Sequence, residues 1–362
     1  MKYVNTLSLF SGIGGFEAGM SKIGFAFKEE VEFDEKCCQT MNANAKLLGI
    51  EKNVVPMDIT QIEPSCLDIP SIDCIVGGPP CQSFSAAGRR FGKVAGTKDA
   101  RGRLFERYCV FLKYFSPKAF VFENVTGILS ANDGKDFESI MSALAGEGYD
   151  LFWSILNAAS FGVPQFRERV FIVGTRSDLR VNFKFPKATY GKGLLPYASA
   201  ENALKDIPAP LMPEQVGGKY GRLVNDIPPG QNYSHYTSHM GHPNPVFGWR
   251  SRFSSFLYKM DPKSPCRTLT ASPGKYDGPI HWTGRKCTKD ELKVLQGFPS
   301  EYSIPFDGKD AIHQIGNSVC PPVAKAIGQA LLAQVYGISQ IVVLENGIRK
   351  WNPACRSIDC YC

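Results

Sequence analysis

The sequence predicts an α/β protein: a doubly wound, mostly parallel sheet, joined to a smaller and irregular domain. Two observations favour this class. Short apolar runs alternate with helical patterns up to about Arg176, as expected when strands are linked by crossover helices. Beyond that point residues 186–280 are rich in Pro, Gly, Tyr, Ser and His, and they contain few long periodic runs.

The elements follow in order along the chain. We expect strands at 4–10, 26–31, 53–55, 72–76, 119–122, 150–157 and 169–174. We expect helices at 16–23, 35–48, 104–115 and 136–146, and regular patterning returns with helices at 288–298 and 321–337. In a sheet of this kind the working residues collect at the carboxyl ends of the strands. The motifs described below lie at such ends.

Charge is distributed unevenly along the 362 residues, whose net charge is +7. Residues 181–286 carry 14 Lys+Arg against 6 Asp+Glu, and residues 81–104 carry six basic residues against Asp99 alone. This segregation favours a polyanionic partner such as nucleic acid, with a solvated charged face as the alternative. No apolar run reaches the length of a membrane helix and no signal peptide is evident, so we expect a cytoplasmic protein without a membrane partner.

The twelve cysteines show no regular disulfide framework. Cys355, Cys360 and Cys362 have no fourth ligand at a suitable spacing, so a frayed tail is favoured over a zinc site and we expect no metal.

A glycine turn follows the first expected strand. Gly12, Gly14 and Gly15 allow a tight bend and close approach to a ligand at a helix N-terminus. The pattern is G-x-G-G and not G-x-G-x-x-G, so it indicates a dinucleotide only weakly. Glu32 can accept from ribose hydroxyls, and Phe33 can stack on a purine. With Asp58 as an acceptor for an exocyclic amine, these residues suit an adenosine-containing cofactor, although each alone also fits a capping or surface role.

Three further motifs bring reactive side chains to strand ends. Cys81 in GGPPCQSFS follows a strand and a Pro-Pro turn, which presents a thiolate to a cleft; a buried structural cysteine is the alternative. Glu123 in FENVTG is a candidate proton donor, or else a cap of the next turn. Arg167 and Arg169 alternate on one face of a strand, so both can point into one cleft, or else lie on an exposed edge.

Together these stretches resemble the cytosine-C5 DNA methyltransferase family, in its bacterial restriction-modification type. The matching motifs occur in the family's order and cover nearly the whole chain: FSGIGG (10–15), EFDEK (32–36), GGPPCQSFS (77–85), ENV (123–125), QFRER (165–169), CTKDELKVLQGFP (287–299) and QIGNSV (314–319).

The resemblance implies a methyl transfer from S-adenosylmethionine to C5 of a flipped-out cytosine in a specific short sequence of double-stranded DNA. Cys81 would add to C6, Glu123 would donate to N3, and Arg169 would bind the O2 edge, with support from Asn124 and Arg167. The residues implied around the cofactor are Phe10, Gly12, Ile13, Gly14, Gly15, Glu32, Phe33, Asp58, Ile59, Pro80, Leu104, Asn317 and Val319.

The resemblance also implies a domain organisation. Residues 1–178 would form the catalytic and cofactor-binding domain, 179–310 the target-recognition domain, 311–337 a return to the catalytic domain, and 338–362 a tail. DNA contacts are expected from a mobile loop after Cys81 and from the target-recognition domain, at Arg89, Arg90, Lys93, Arg101, His239, His242, Arg250, Arg252, Arg267, Lys275 and Tyr276.

We expect a monomer associated with the bacterial nucleoid through DNA, and a cognate restriction endonuclease that acts on the same site without direct contact. Three alternatives remain open. One is a tRNA-directed member of the family, although its Cys-Phe-Thr run is absent. The others are a non-catalytic DNA-binding relative, which would usually lack the nucleophile, and a dinucleotide oxidoreductase, which would leave Cys81, Glu123 and the arginine pair unexplained.

Overall fold

The structure is a computed structural model that describes residues 3–80, 104–251 and 253–338, and the backbone of 349–350. The chain divides into two compact units. The first unit comprises Met1–Asn157, Glu168–Ala188 and Val319–Cys362, and the second comprises Ala158–Arg167 and Thr189–Ser318. These boundaries differ from the expected ones in three places, because 158–167 and 311–318 belong to the second unit and 179–188 belong to the first.

A seven-stranded sheet forms the centre of the first unit. Its strands are β1 (Val4–Leu9), β2 (Phe25–Val31), β3 (Cys74–Gly77), β4 (Ala119–Val125), β5 (Tyr149–Asn157), β7 (Glu168–Arg176) and β9 (Arg349–Lys350). Their order across the sheet is β2-β1-β3-β4-β7-β5-β9. Neighbours from β2 to β4 are parallel, whereas β7 is antiparallel to both β4 and β5, and β9 is antiparallel to β5. All of these strands except β7 and β9 therefore run in one direction, which confirms the mostly parallel α/β class.

Helices follow the strands of this unit where the sequence predicts them. They are α1 (Gly15–Met20), α2 (Glu35–Ala43), α3 (Ala45–Leu48), α4 (Leu104–Phe115), α5 (Lys135–Gly146) and α9 (Pro321–Gln334). Asp34 caps the N-terminus of α2, and its carboxylate accepts from the backbone N–H groups of Lys36 (2.8 Å) and Cys37 (3.0 Å). The α9 helix packs on α1, where a Cβ at Gly19 would lie 2.3 Å from the Pro321 carbonyl oxygen.

The core of this unit is aromatic. Tyr108 on α4 is fully buried between Phe120 and Phe122, with ring centroids 5.8 and 5.3 Å away. Its hydroxyl lies 2.9 Å from the Val121 carbonyl and 3.2 Å from that of Ile75, so it joins β3 to β4. Burial of large apolar rings supplies most of the driving force for folding, and the buried hydroxyl is satisfied. The core therefore fixes the two strands whose ends carry GGPP and ENV.

The expected strand at 53–55 is wrong, because these residues form no strand in the described stretch. The side-chain amide of Asn42 donates to the Val54 carbonyl and accepts from the Val54 N–H, both at 2.8 Å. These two contacts occupy the groups that a strand would offer to its neighbour.

The second unit is largely irregular, as its composition predicts. Its regular elements include a short parallel pair, β6 (Gln165–Phe166) with β8 (Cys266–Arg267), and the helices α6 (Ala200–Leu204), α7 (Lys289–Leu295) and α8 (Gly308–Asn317). Thr288 and Glu291 form a reciprocal capping box at the start of α7. A core of seven buried residues holds the middle of the unit: Val216, Val224, Ile227, Tyr233, Tyr236, Leu257 and Ile280.

None of the helices within the described ranges is long and apolar enough to cross a membrane.

Candidate active site

One edge of the large sheet gathers the motifs of the first unit. Strands β1, β3 and β4 are parallel, so the segments after them emerge at the same edge. Because β7 is antiparallel to β4, its first residues lie there too, and Arg169 is opposite Val125. The glycine turn, the GGPP segment, Glu123 and Arg169 thus share the edge where α/β sheets bind ligands.

The glycine turn bends as the sequence predicts. Gly12 has φ +58°, in the left-handed region that favours glycine. Gly15 is required for a different reason, since a Cβ there would lie 2.4 Å from the Val319 carbonyl oxygen. Phe10 also has positive φ (56°), and a non-glycine residue with such a backbone marks a constrained turn. The turn is thus held by α9 behind it, and Val319 supports it from the far end of the chain.

Glu32 connects the end of β2 to this turn. Its carboxylate accepts from the Gly12 N–H at 2.7 Å and from the Asp34 N–H at 2.8 Å. Burial raises the pKa of Glu32, and the two N–H groups oppose that rise by stabilising the charged form. Phe33, the next residue, is 72% exposed. An anchored carboxylate thus stands beside a solvent-facing aromatic ring.

The segment after Glu32 returns to the same place. The Met57 N–H donates to the Glu32 carbonyl at 2.6 Å, which brings the following residue, Asp58, close to the turn. Asp58 is half-buried, and its Oδ1 accepts from the backbone N–H and the hydroxyl of Thr60 at 2.9 and 2.8 Å. Ile59 is buried. The remaining described candidates differ in exposure: Pro80 is exposed, and Leu104 packs against the core.

Two carboxyl groups are buried behind the turn. Glu17 on α1 is fully buried, and burial raises its pKa to about 7. Glu30 on β2 is 3% exposed, and burial, together with the charge of Glu17, raises its pKa to about 8. Desolvation favours the neutral form of both groups. Neither residue was among the predicted site residues, because nothing in the glycine-turn motif indicates that these side chains point inward.

An ion pair joins Glu123 to Arg169. The Nε of Arg169 lies 3.2 Å from Oε1 of Glu123, and their side chains are 17% and 11% exposed. Gly78 packs against this carboxylate, since a Cβ there would lie 2.9 Å from its Oε2. Asn124 donates from Nδ2 to the Pro79 carbonyl at 3.4 Å and accepts from the Val125 N–H at 2.8 Å. Carboxylate and guanidinium are thus held together beside the residues that lead into Cys81.

Comparison with known proteins decides the family. The profile of the C-5 cytosine-specific DNA methylase family matches residues 4–333. The chain belongs to this family. Its relatives include the type II methyltransferase M.SacI of Streptomyces achromogenes, which is 31% identical over 91% of this chain and 93% of its own length. Another is M.NgoFVII of Neisseria gonorrhoeae, 33% identical over 90% of this chain and 86% of its own length.

Solved structures agree on the fold. A DNA modification methyltransferase encoded within an E. coli prophage superimposes with a TM-score of 0.65 at 23% identity, covering 92% of this chain and 99% of that one. The Dnmt2 methyltransferase of S. pombe gives 0.62 at 17% identity, covering 92% and 99%. Likeness at this identity concerns the fold alone. Family membership makes the chain a DNA (cytosine-5-)-methyltransferase.

Arg167 of the methyltransferase corrects one expectation. It was expected to share a strand face and a cleft with Arg169, but the strand is interrupted between β6 and β7, and Arg167 is 2% exposed. Its guanidinium donates to the carbonyls of Leu269 (3.0 Å), Gly316 (2.8 Å) and Ser318 (3.1 Å), all within the second unit. The two arginines therefore have different partners, and Arg167 holds backbone in place.

Candidates for DNA contact in the second unit fall into two groups. His239, Arg250 and Lys275 are exposed. The others are engaged within the unit. Tyr276 packs in the aromatic core, and His242 lies against Tyr236 with ring centroids 4.8 Å apart. Arg267 is exposed but stacks on Tyr258 at 3.7 Å and donates to the Ser254 carbonyl at 2.6 Å.

Asn317, expected near the cofactor, also belongs to this unit, and its Nδ2 lies 3.0 Å from His313 Nε2.

Several predicted site residues lie outside the described residues: Cys81, Arg89, Arg90, Lys93, Arg101 and Arg252. The C-terminal cysteines lie there as well. Among the residues that are described, no group of three or more His, Cys, Asp or Glu side chains is placed to hold a metal ion. Gly78, whose lack of a side chain leaves room for the Glu123 carboxylate, was not among the predicted site residues. The doubled glycine before Pro79 and Pro80 was the available signal.

Proposed function

We propose that this enzyme transfers a methyl group from S-adenosylmethionine to C5 of a flipped-out cytosine within a short, specific sequence of double-stranded DNA. The observation that carries the proposal is the arrangement at one sheet edge. There the Glu123–Arg169 pair lies with the glycine turn and Glu32. The Glu123–Arg169 pair suits a pyrimidine ring, and the glycine turn with Glu32 suits an adenosine-containing methyl donor.

The residues of the turn fit that donor. Gly12 leaves the backbone open to a ligand, and Glu32, fixed by two N–H groups, retains lone pairs for ribose hydroxyls. Phe33 offers an exposed ring to adenine, and Asp58 and Ile59 would meet its edge. Phe10, Ile13, Gly14, Gly15, Pro80, Leu104, Asn317 and Val319 complete the proposed set. Bound S-adenosylmethionine supplies an electrophilic methyl group on a sulfonium.

Cytosine C5 is a weak nucleophile, and the side chains of this chain would overcome that weakness. The Cys81 thiolate adds to C6, which forms a C–S bond and moves electron density to C5. The Glu123 carboxyl gives a hydrogen bond or proton to N3 and offsets the charge that develops there. After methylation a base or a water molecule removes the C5 proton, the electrons of that bond form the C5–C6 double bond, and the Cys81 thiolate leaves C6. Cys81 is assigned by its motif alone.

Arg169 would orient the base and Glu123 together. Its guanidinium already contacts the carboxylate and has further N–H donors for cytosine O2. Asn124, through its contact with Pro79, fixes the strand end against the segment that precedes Cys81. Arg167 would support the site from a distance by holding backbone, not by contact with the base. Placement of the reacting groups before the base arrives is the main catalytic device of such a site.

The DNA contacts follow from charge. Arg89, Arg90, Lys93 and Arg101 would neutralise phosphates, which gives affinity without sequence readout. His239, His242, Arg250, Arg252, Arg267, Lys275 and Tyr276 remain the proposed readers, and of the described ones the exposed side chains suit base contact best. A base inside the duplex is out of reach of Glu123, so the cytosine must leave the stack at a cost of about a few kcal/mol.

The relatives point to a biological setting. M.SacI and M.NgoFVII are type II methyltransferases, so we propose that this enzyme is the modification component of a restriction-modification system in a bacterial cytoplasm. It would act as a monomer on DNA, and a cognate endonuclease would share its site without binding to it.

Product analysis tests the proposal. DNA from a host that expresses the protein is digested to nucleosides, and 5-methylcytosine is separated from N4-methylcytosine by mass spectrometry. Bisulfite sequencing then identifies the methylated site. We expect 5-methylcytosine at one short sequence, and none with a Glu123→Ala variant. Methyl transfer to tRNA and not to duplex DNA would favour the RNA-directed alternative. Calorimetry should detect S-adenosylhomocysteine binding and no NAD binding.

A further inference from the structure

The second unit contains a long stretch without negative charge. Between Asp226 and Asp261 the sequence contains no Asp or Glu, but it includes Arg250, Arg252 and Lys259. Asp277 accepts from the Ser255 hydroxyl at 3.2 Å, but the stretch itself carries only positive formal charges, which favours a polyanionic partner.

Large apolar side chains are exposed within this acid-free stretch. Met240 is 55% exposed, Val246 49%, Trp249 54% and Phe253 44%. Tryptophan and phenylalanine are usually covered, and a cluster of exposed ones indicates an interaction site. Because arginine and lysine residues accompany these rings in the sequence, a suitable binding partner would combine negative charge with a flat or methyl-bearing apolar surface. Duplex DNA has both, in its phosphates and in the edges and sugars of its grooves.

The backbone that carries these side chains is fixed from below. The hydroxyl of Tyr233 accepts from the Arg250 N–H at 2.8 Å and donates to the Arg250 carbonyl at 2.7 Å. Tyr233 itself is 5% exposed and belongs to the aromatic core of the unit. Asn232 donates to the Ser254 carbonyl at 2.8 Å. The backbone at Arg250 and Ser254 is therefore anchored by neighbouring residues of the unit before any ligand binds, which lowers the entropy lost on binding.

The exposed rings of Trp249 and Phe253 each lie close to a polar side chain. The rings of His239 and Trp249 lie 5.2 Å apart at 38°, so one part of the indole is backed by imidazole while 54% of the residue remains in solvent. The guanidinium of Arg250 lies 5.5 Å from the ring of Phe253. Arg250 thus lies near the ring of Phe253 and follows Trp249 in sequence, and Tyr233 holds its backbone through two hydrogen bonds.

We propose that Trp249, Arg250 and Phe253 form a preorganised reading loop, in which Arg250 contacts a base edge and the two rings pack on the adjoining apolar surface of the duplex. Tyr233 is the positioning residue of this loop. The inference rests on the proposed function, since it assigns the specificity of the same methyl transfer. It adds Trp249, Phe253 and Tyr233 to the residues that determine which sequence is methylated.

Steady-state methyl transfer to a duplex with the mapped site tests this assignment. Loss of one good contact to a base or its neighbour changes discrimination by about 5- to 150-fold. We therefore expect Trp249→Ala to lower kcat/KM for DNA by about 10-fold or more, mainly through KM, with unchanged affinity for S-adenosylhomocysteine. Arg250→Lys should relax the preference at one base pair of the site, measured with single-pair variants of the duplex. Tyr233→Phe should lower discrimination at that same pair.

The matched control is Leu211→Ala. Leu211 is fully exposed in the same unit but lies in a segment with Asp206 and Glu214, so kcat/KM should not change. Equal kinetics for Trp249→Ala and wild type would overturn the inference, and so would a change in self-association without a change in DNA kinetics. Failure of the proposed function itself would look different, because the wild-type enzyme would then leave no 5-methylcytosine in DNA.

Discussion

Replacement of Arg167 by lysine separates two neighbouring arginines that the motif alone cannot distinguish. The guanidinium of Arg167 reaches three backbone carbonyls, of Leu269, Gly316 and Ser318, from a position that is 2% exposed. A lysine ammonium has a single nitrogen and can keep about one of these contacts. Hydrogen bonds to a charged group contribute about 1.5–3 kcal/mol each, so the loss of two of them should lower the free energy of unfolding by about 3–6 kcal/mol.

Urea unfolding followed by circular dichroism measures that loss, and methyl-transfer assays at a temperature where the variant stays folded measure kcat. We expect Arg167→Lys to be destabilised and to retain kcat within about 3-fold. Arg169→Lys is the matched comparison. Its side chain pairs with Glu123 at a partly open edge, so stability should change little, while kcat falls by about 100-fold or more. A stable Arg167→Lys enzyme with a 100-fold lower kcat would refute the reasoning.

Two further predictions concern groups around the proposed site. In Gly78→Ala the new Cβ would lie 2.9 Å from Oε2 of Glu123, so the carboxylate must shift. We expect kcat to fall by about 10- to 100-fold, while calorimetry shows unchanged affinity for S-adenosylhomocysteine. An unchanged kcat would contradict this expectation. Burial raises the pKa of Glu17 from 4.5 to about 7. Between these two pH values the Glu17 carboxyl is protonated in the folded state and ionised in the unfolded state, so the stability of the wild type falls as the pH rises. Glu17→Gln removes that loss, so its free energy of unfolding relative to wild type should rise by about 3 kcal/mol from pH 4.5 to pH 7.5. A pH-independent difference between the two unfolding curves would contradict the assignment.

The sequence predicted what depends on local patterns. Strands β1, β2, β3 and β4 appear where apolar runs end in glycine or in carboxylates, because a buried strand and the turn after it are specified by adjacent residues. The convergence of the glycine turn and Glu123 at one edge follows from parallel topology alone. The Glu123–Arg169 contact depends in addition on the antiparallel direction of β7, which the sequence analysis did not predict.

What the sequence could not supply depends on partners far along the chain. Arg167 has the same spacing as a cleft residue, but its carbonyl partners lie more than 100 positions away and are invisible to periodicity. Residues 53–55 have strand-like composition, yet the side chain of Asn42 takes up the backbone groups of Val54. Glu17 reads as a surface residue of a short helix, and its burial is decided by packing in three dimensions.

Covalent trapping tests the central claim most directly. The enzyme is incubated with S-adenosylmethionine and a duplex that carries 5-fluorocytosine at the mapped target position. The fluorine replaces the C5 proton and cannot be removed by a base, so Cys81 stays bound to C6. Wild-type protein should give a species on a denaturing gel that is heavier by one DNA duplex or strand, and Cys81→Ser should give none while still binding the duplex. An adduct that persists in Cys81→Ser, or one that maps by peptide mass spectrometry to another cysteine, would contradict the account.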